Sequence, residues 1–409
     1  MIRATVPIAL CAALASACAH APPVPPGAVP PAPAGQPSPP LPPSPPASPA
    51  PPSPPSPASS AASPAPVEIV FAAVGDVMLG SAFPDDGGLP PDDGAGELAE
   101  VAPILSAADV AFGNLEGPLA DGGTSEKCAH SRPGRCYAFR VPTRYGRTLR
   151  QAGFTVMSLA NNHAGDFGPA GRESTRRALD AVGIAHSGEP GDVARLLPKG
   201  RRLALVAFAT SEATYDLNDL ETARRVVEEL KATADLVVVS FHGGAEGAAH
   251  QHVPTGPEEF YGENRGDLRT FAHAMVDAGA ALVVGHGPHV VRGMEVYRGR
   301  LIAYSLGNFA TWGSFNLAGP NGVSLVLEAR LGPDGTFRSG RVHPLRQVKP
   351  GGPRADPSGE IIPLLRRLSR EDFGGAAVEV GDGGEISPPR AVPLAPSALA
   401  PPAAPSSDG

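Results

Sequence analysis

Cysteine, tryptophan and net positive charge are all scarce in this chain. Its 409 residues include 4 Cys and 1 Trp, and aromatic residues make up 5%. Lys and Arg number 33 against 41 Asp and Glu, for a net charge of −8, with both signs mixed and no basic run. A chain without a basic stripe has no electrostatic footprint for nucleic acid, which is therefore excluded as a partner. No second long apolar segment follows the N-terminus, so nothing beyond it is expected to span a bilayer. Cys11 and Cys18 fall in the N-terminal apolar stretch, leaving only Cys128 and Cys136. Such a pair is most simply a disulfide closing a surface loop. The rival reading is a metal pair, but the spacing is uncommon for zinc and no His pair lies at a matching interval.

What is abundant is proline, 50 residues, with glycine close behind at 49. Residues 22–66 are almost entirely Pro, Ala, Ser and Gly, and the stretch 387–409 has the same character. Neither can bury enough apolar surface to offset chain entropy, so both read as a disordered or polyproline-like linker and tail. Residues 67–386 between them suffice for one large α/β domain. Residues 1–21 read as a secretory signal: Arg3 supplies a charge, an apolar region runs from about Ala4 to Ala15, and small residues precede Cys18. That last stretch resembles the lipobox of bacterial lipoproteins, although Ala15 stands where an aliphatic residue is usual. Lipidation of Cys18 is the preferred expectation, since a tether follows at once. Ordinary cleavage after Ala17 or Ala21 is the alternative. The tether would reach up to roughly 140 Å at ~3.1 Å per residue. The expected location is outside the cytoplasm, as an outer-membrane or cell-surface lipoprotein, or otherwise periplasmic or secreted.

Within the domain, six apolar runs stop at residues of metal-binding type. They end at Asp76, at Asn114-Leu115-Glu116, at Asn161-Asn162-His163, at His242, at His286-Gly287-Pro288-His289 and at Asn308. Short continuous apolar runs read as buried strands, and ligands of α/β sheets gather at the carboxyl ends of such strands. Oxygen and imidazole donors spread over more than two hundred residues are thus predicted to converge on one rim. That donor set suits a divalent Mn, Zn or Fe ion. Helices are predicted between the strands. Pro169 opens one, with Ala170, Ser174, Ala178 and Val182 on its inner face. Asp219 caps a second and Asp267 a third, the latter burying Leu268, Phe271, Ala272 and Met275. A hairpin is expected about the turn Gly332-Pro-Asp-Gly335, and a last short helix over Arg366–Phe373.

With these motifs in place, the chain resembles the bacterial CapA family of poly-γ-glutamate capsule synthesis proteins, a branch of the calcineurin-like metallophosphoesterase superfamily. The resemblance rests on Gly75-Asp76-Val77-Met78-Leu79, Gly113-Asn114-Leu115-Glu116, Asn161-Asn162-His163, Phe241-His242-Gly243-Gly244-Ala245-Glu246, Gly285-His286-Gly287-Pro288-His289 and Tyr304-Ser305-Leu306-Gly307-Asn308-Phe309, over about Ile69 to Leu331. It implies a four-layer α/β/β/α sandwich with a centre of one or two divalent metals. Its ligands would be Asp76, Glu116, Asn162, His242 and His289, with His286 less clear. Met78 stands where the superfamily carries a second-site His, so one metal position would be weak or differently built. Glu116 replaces the usual bridging Asp. His163 would protonate the leaving group, with Asp166 orienting it. Asn114, Glu246 and Asn308 would support the metal ligands or touch substrate. His250 and His252 read as a solvated face and His273 as exposed.

Two functions follow as expectations. One is a metal-dependent hydrolase acting on an envelope or capsule polymer, a small ester or peptide-like bond, or a phosphoester. The other is a non-catalytic factor that guides an anionic polymer beside other capsule synthesis proteins, with Arg140, Arg144, Arg147 and Arg150 as the positive charges. A third, weaker idea is a lipoprotein whose metal is purely structural.

Overall fold

The structure is a computed structural model that describes residues 67–125, 127–128, 137–313 and 315–390. The predicted signal, Cys18, the linker 22–66, Cys136 and the tail beyond residue 390 lie outside the described residues. Two large sheets organise what is described. In the first, the strand Ile69–Met78 lies centrally, parallel to Val110–Leu115, which continues through Val156–Ser158 to Ala185–Ser187 at the edge. On its other side Ile69–Met78 pairs antiparallel with Val323–Leu331 and, near its end, parallel with Asn308–Thr311. The second sheet holds the parallel strands Leu203–Ala209, Leu236–His242, Leu282–His286 and Arg300–Ala303.

Strand faces alternate, and the alternation builds the layers. Ile69, Phe71 and Phe112 of the first sheet pack with Leu205, Val238 and Val284 of the second in one core between the sheets. The opposite face of the first sheet, with Val74 and Ala111, is covered by Leu105, Leu149 and Leu179 from helices. The opposite face of the second, with Val206 and Val239, is covered by Val227 and Phe271. This is the four-layer α/β/β/α sandwich. No helix among the described residues is long and apolar enough to cross a membrane.

The capped helices form as their sequences dictate. Asp219 accepts from Thr222 N at 3.1 Å to start Leu220–Lys231, and Asp267 accepts from Thr270 N at 3.0 Å to start Leu268–Asp277. The hairpin pairs Val323–Leu331 with Phe337–Gln347. Three expectations are corrected. Helix Gly168–Asp180 buries Gly171, Thr175 and Leu179, one position round from the predicted face, with Ala170 exposed. Thr175 Oγ1 accepts from Leu119 N at 2.9 Å and draws that face inward. The last helix is longer than predicted, Ile361–Phe373, because Ile361 and Leu365 join the inter-sheet core. The strand Glu385–Ser387 runs one residue past the expected domain end.

Candidate metal centre

The parallel strands bring their carboxyl ends together where the two sheets meet. Asp76 is fully buried beside its register partners Asn114 and Asn308. Its backbone N donates to Gly307 O at 2.9 Å. Gly75 makes that approach possible, since a Cβ there would collide with the Gly307 carbonyl. Asn114 Nδ2 donates to Asp76 Oδ1 at 2.9 Å and lies 3.3 Å from His242 Nδ1. Asn161 Nδ2 donates to Asn114 Oδ1 at 3.1 Å, and Asn161 Oδ1 accepts from His163 N at 3.1 Å. A chain of amides therefore carries order from Asp76 to His163.

Asp76, Glu116 and His242 each offer a donor atom within 4.8 Å of the others, and all three residues are buried. His289 closes on the same point. Its Nδ1 lies 2.9 Å from Asp76 Oδ2 and its Nε2 3.7 Å from Glu116 Oε1. It adopts a left-handed backbone, φ 57°, a conformation that costs roughly 1 kcal/mol or more at a non-glycine residue. Both Glu116 carboxylate oxygens, Asn162 Oδ1 and His242 Nε2 are buried without a hydrogen-bond partner among the described residues. Buried polar atoms are normally paired, so the Glu116 oxygens and His242 Nε2, grouped with Asp76, form an electron-rich cradle that a divalent cation would satisfy. The residues present fit the metal that the sequence implies.

Charge is finely set here. Burial pushes the Glu116 carboxyl up to about 8, helped by Asp76 and Glu246 and opposed by His289. Burial would lower His289, but Glu116 and Asp76 carry it up to about 10. Burial also works against ionised Asp76, yet the hydrogen bond and charge of His289 hold its carboxyl below the ordinary value. Burial, with the charges of Arg265 and His289, keeps His242 well below the usual imidazole range. It is therefore the neutral imidazole that ligates metals.

His163 flanks the cluster. Its Nδ1 lies 2.8 Å from Asp166 Oδ2, and its ring packs 4.5 Å from that of Phe139 between centroids. Asp166 also accepts from Phe139 N at 2.8 Å and from Lys127 Nζ at 2.7 Å. Burial lowers the His163 imidazole despite Asp166. Glu246 is half-buried, with Oε2 3.9 Å from His289 Nε2. Asn308 donates from Nδ2 to Asn321 O at 3.3 Å, while its Oδ1 is buried without a partner among the described residues.

His286 lies beside His242 in register, and its Nδ1 is buried without a hydrogen-bond partner among the described residues. Its Nε2 lies 3.0 Å from Val74 O and its ring meets Phe112 edge-on at 5.6 Å, so it ties one sheet to the other inside the core. Burial lowers it as well. Cys128 is disulfide-bonded. Arg144 is bound to Asp93 at 2.8 Å, and Arg140 donates to Ala82 O at 2.8 Å and Gly123 O at 3.1 Å. Those two are structural cations rather than free ones. His273 is half-buried, 2.7 Å from Glu295 and stacked on Tyr297. His252 is likewise engaged, with Asp372 at 2.7 Å.

Two residues at the centre carried no signal in the sequence. Lys127 reaches Asp166 and also donates to Asn162 O at 3.4 Å. Arg265, fully buried, donates from Nε to Gly244 O at 3.1 Å and lies 3.2 Å from Glu246 Oε1. Neither sits at the end of an apolar run, and Lys127 is distinguished only by preceding Cys128.

A family profile described as bacterial capsule synthesis protein PGA_cap matches residues 70–311. The chain is similar to the capsule biosynthesis protein CapA of Bacillus anthracis, 30% identical over 264 residues, covering 59% of this chain and 59% of that protein. It is similar to the PGA biosynthesis protein CapA of Bacillus subtilis strain 168, 31% identical over 254 residues, covering 58% and 61%. The chain thus spans about 59–61% of the length of these relatives. Among solved structures, the 5'-nucleotidase precursor of Thermus thermophilus aligns with a TM-score of 0.39 at 15% identity, over 74% of this chain and 59% of that one. The NAD nucleotidase of Haemophilus influenzae aligns with a TM-score of 0.36 at 10% identity, over 72% and 54%. With the profile match running from the first strand through the strand that carries Asn308, the chain belongs to the family of bacterial capsule synthesis proteins.

Proposed function

We propose that this protein is a metal-dependent hydrolase acting outside the cytoplasm on an envelope or capsule polymer of poly-γ-glutamate type, or on a phosphoester. The observation that carries the reading is the pair of buried donors without partners among the described residues, Glu116 and His242, beside Asp76 and His289. Asp76, Glu116, Asn162, His242 and His289 would hold the ion, with Mn, Zn or Fe as the matching metals. Once bound, it would lower the pKa of a coordinated water and polarise the bond to be cut. The remaining work falls to this chain's own groups. Asp166 accepts from His163 Nδ1 and so fixes the tautomer and the ring plane. That leaves His163 Nε2, without a hydrogen bond among the described residues, to transfer a proton to the departing group. Lys127 neutralises Asp166 on its other oxygen and limits how far the carboxylate can raise the imidazole. Asn114 holds Asp76 in register with the amide chain. The export signal and the lipid on Cys18 belong to the same proposal, since a polymer of the envelope is met there.

The test is turnover by the purified protein with Mn2+ on phosphoester and γ-glutamyl substrates. Activity is expected, with its loss in Asp76→Ala and His163→Ala. Unchanged turnover in both variants sinks the hydrolase reading.

The relatives' names favour one other reading, a non-catalytic factor of polymer synthesis, since both are called biosynthesis proteins. Binding of poly-γ-glutamate without cleavage, in the presence of Mn2+, is the result that would support it. Retention of that binding in His163→Ala would separate it from catalysis.

A further inference from the structure

We infer that Arg292 is a positioning residue: with Glu258 it clamps the segment Gly244–Glu258 so that Glu246 faces His289 at the candidate metal centre. The inference rests on reading Asp76, Glu116, His242 and His289 as that centre and is independent of whether the protein hydrolyses anything. The segment begins just after His242 and carries little regular structure before the strand Glu258–Phe260. A loop of this kind is held in place by what it is tied to.

Arg292 follows His289 by three residues and is fully buried. Its backbone N donates to Ser305 O at 3.1 Å, which seats it beside the end of the strand Arg300–Ala303. Its guanidinium grips the segment at both ends and in the middle. Nη1 donates to Glu258 Oε1 at 2.8 Å and Nη2 to Glu258 Oε2 at 2.7 Å, a fork on a carboxylate that is itself buried. Nη2 also donates to Ala245 O at 3.1 Å, and Nε to His250 O at 2.8 Å. Ala245 N donates to Glu258 Oε2 at 2.9 Å, so the pair holds both polar groups of the Ala245 backbone. The next residue is Glu246. One of its carboxylate oxygens is 3.2 Å from Arg265 Nη2 and the other 3.9 Å from His289 Nε2. His289 Nδ1 in turn lies 2.9 Å from Asp76 Oδ2. The Glu246 side chain is 25% exposed, whereas those of Asp76 and Glu116 are buried. Glu246 thus brings a negative charge to the centre from its open side, and such a charge favours a cation there. A buried ion pair is weak evidence for stability, because desolvating both charges offsets most of their attraction. What a fork with two further backbone bonds supplies is one fixed arrangement. Here it fixes the backbone on which Glu246 stands.

The experiment measures the Mn2+ dissociation constant of the full-length protein by calorimetric titration, with electron paramagnetic resonance of the bound ion. It compares wild type, Arg292→Lys, Glu246→Gln and the double variant. Lysine keeps the charge and loses the fork. Arg292→Lys is expected to weaken Mn2+ binding by roughly 10-fold, the lower end for a residue that acts behind a ligand. Its Mn2+ spectrum is expected to change as that of Glu246→Gln does. The double variant is expected to bind no more weakly than Glu246→Gln alone, because both changes act through one carboxylate. A merely structural Arg292 would lower the melting temperature and leave the Mn2+ constant in place, or multiply the effect of Glu246→Gln. Either result overturns the inference, as does an unchanged constant in Glu246→Gln. If Arg292→Lys does not fold, Glu258→Gln breaks the same clamp and is read in the same way. Wild-type protein that binds no Mn2+ sinks the metal-centre reading and the inference with it. Intact wild-type binding with unaffected variants sinks the inference alone.

Discussion

Single residues at the strand ends behave as a coupled electrostatic unit, and pH is the lever that exposes it. Glu116 has a carboxyl raised to about 8 and His289 an imidazole raised to about 10. For both, the folded value lies above the ordinary one. Their contribution to stability is therefore fully present below the ordinary values and is lost as pH rises through about 8 and then about 10. A metal ion reverses the balance, because it needs Glu116 deprotonated. The gain in melting temperature on adding Mn2+ is thus expected to be larger at pH 8.5 than at pH 6, by calorimetry. Glu116→Gln should abolish most of that gain at both pH values. Within the proposed reaction, Asp166→Asn frees the His163 ring. An outer partner of this kind is typically worth about 10- to 100-fold. The fall is expected in kcat, with a displaced pH profile and little change in KM.

Elements set where these residues stand, and two local devices do most of it. The glycine before Asp76 allows the strand Ile69–Met78 to touch the Gly307 carbonyl. Gly75→Ala is expected to separate those backbones, lowering both the denaturation midpoint and Mn2+ affinity. Equal affinity, measured by calorimetric titration, would show that the close contact does not position Asp76. The helix Leu268–Asp277 depends on its cap, with Asp267 also accepting from Thr270 Oγ1 at 2.8 Å. Asp267→Ala should cost ~1 kcal/mol in urea unfolding, the usual worth of such a cap. The body of the helix packs on the far face of the second sheet, so the loss is expected in stability.

At the scale of the whole molecule, the centre exists because two sheets are clamped face to face. Phe112 is fully buried in that inter-sheet core, against Phe71 at 6.1 Å and His286 at 5.6 Å between ring centroids. Phe112→Ala should destabilise the domain by about 3–5 kcal/mol. It should also weaken metal binding, because Asn114 and Glu116 follow on the same chain segment. Chelation gives the reciprocal effect. An ion bound only by the folded state stabilises it by mass action, so EDTA is expected to lower the melting temperature of metal-loaded protein, and an unchanged midpoint would refute a centre linked to folding.

Local sequence was enough for the strand ends, the capped helices and the hairpin. Burial, capping and turn chemistry act over a few residues, and a continuous apolar run declares itself without reference to its neighbours. The convergence of Asp76, Glu116 and His242 was also legible, because parallel strands share a carboxyl end. Tertiary packing alone decided the rest. It set His286 Nε2 against Val74 O of the other sheet, bound Arg144 to Asp93, and rotated the helix Gly168–Asp180 so that Thr175 meets Leu119. It brought Lys127 to Asp166 and Arg265 to Glu246. A charged side chain becomes part of such a centre by the partner across the fold that meets it, and no spacing along the chain encodes that partner.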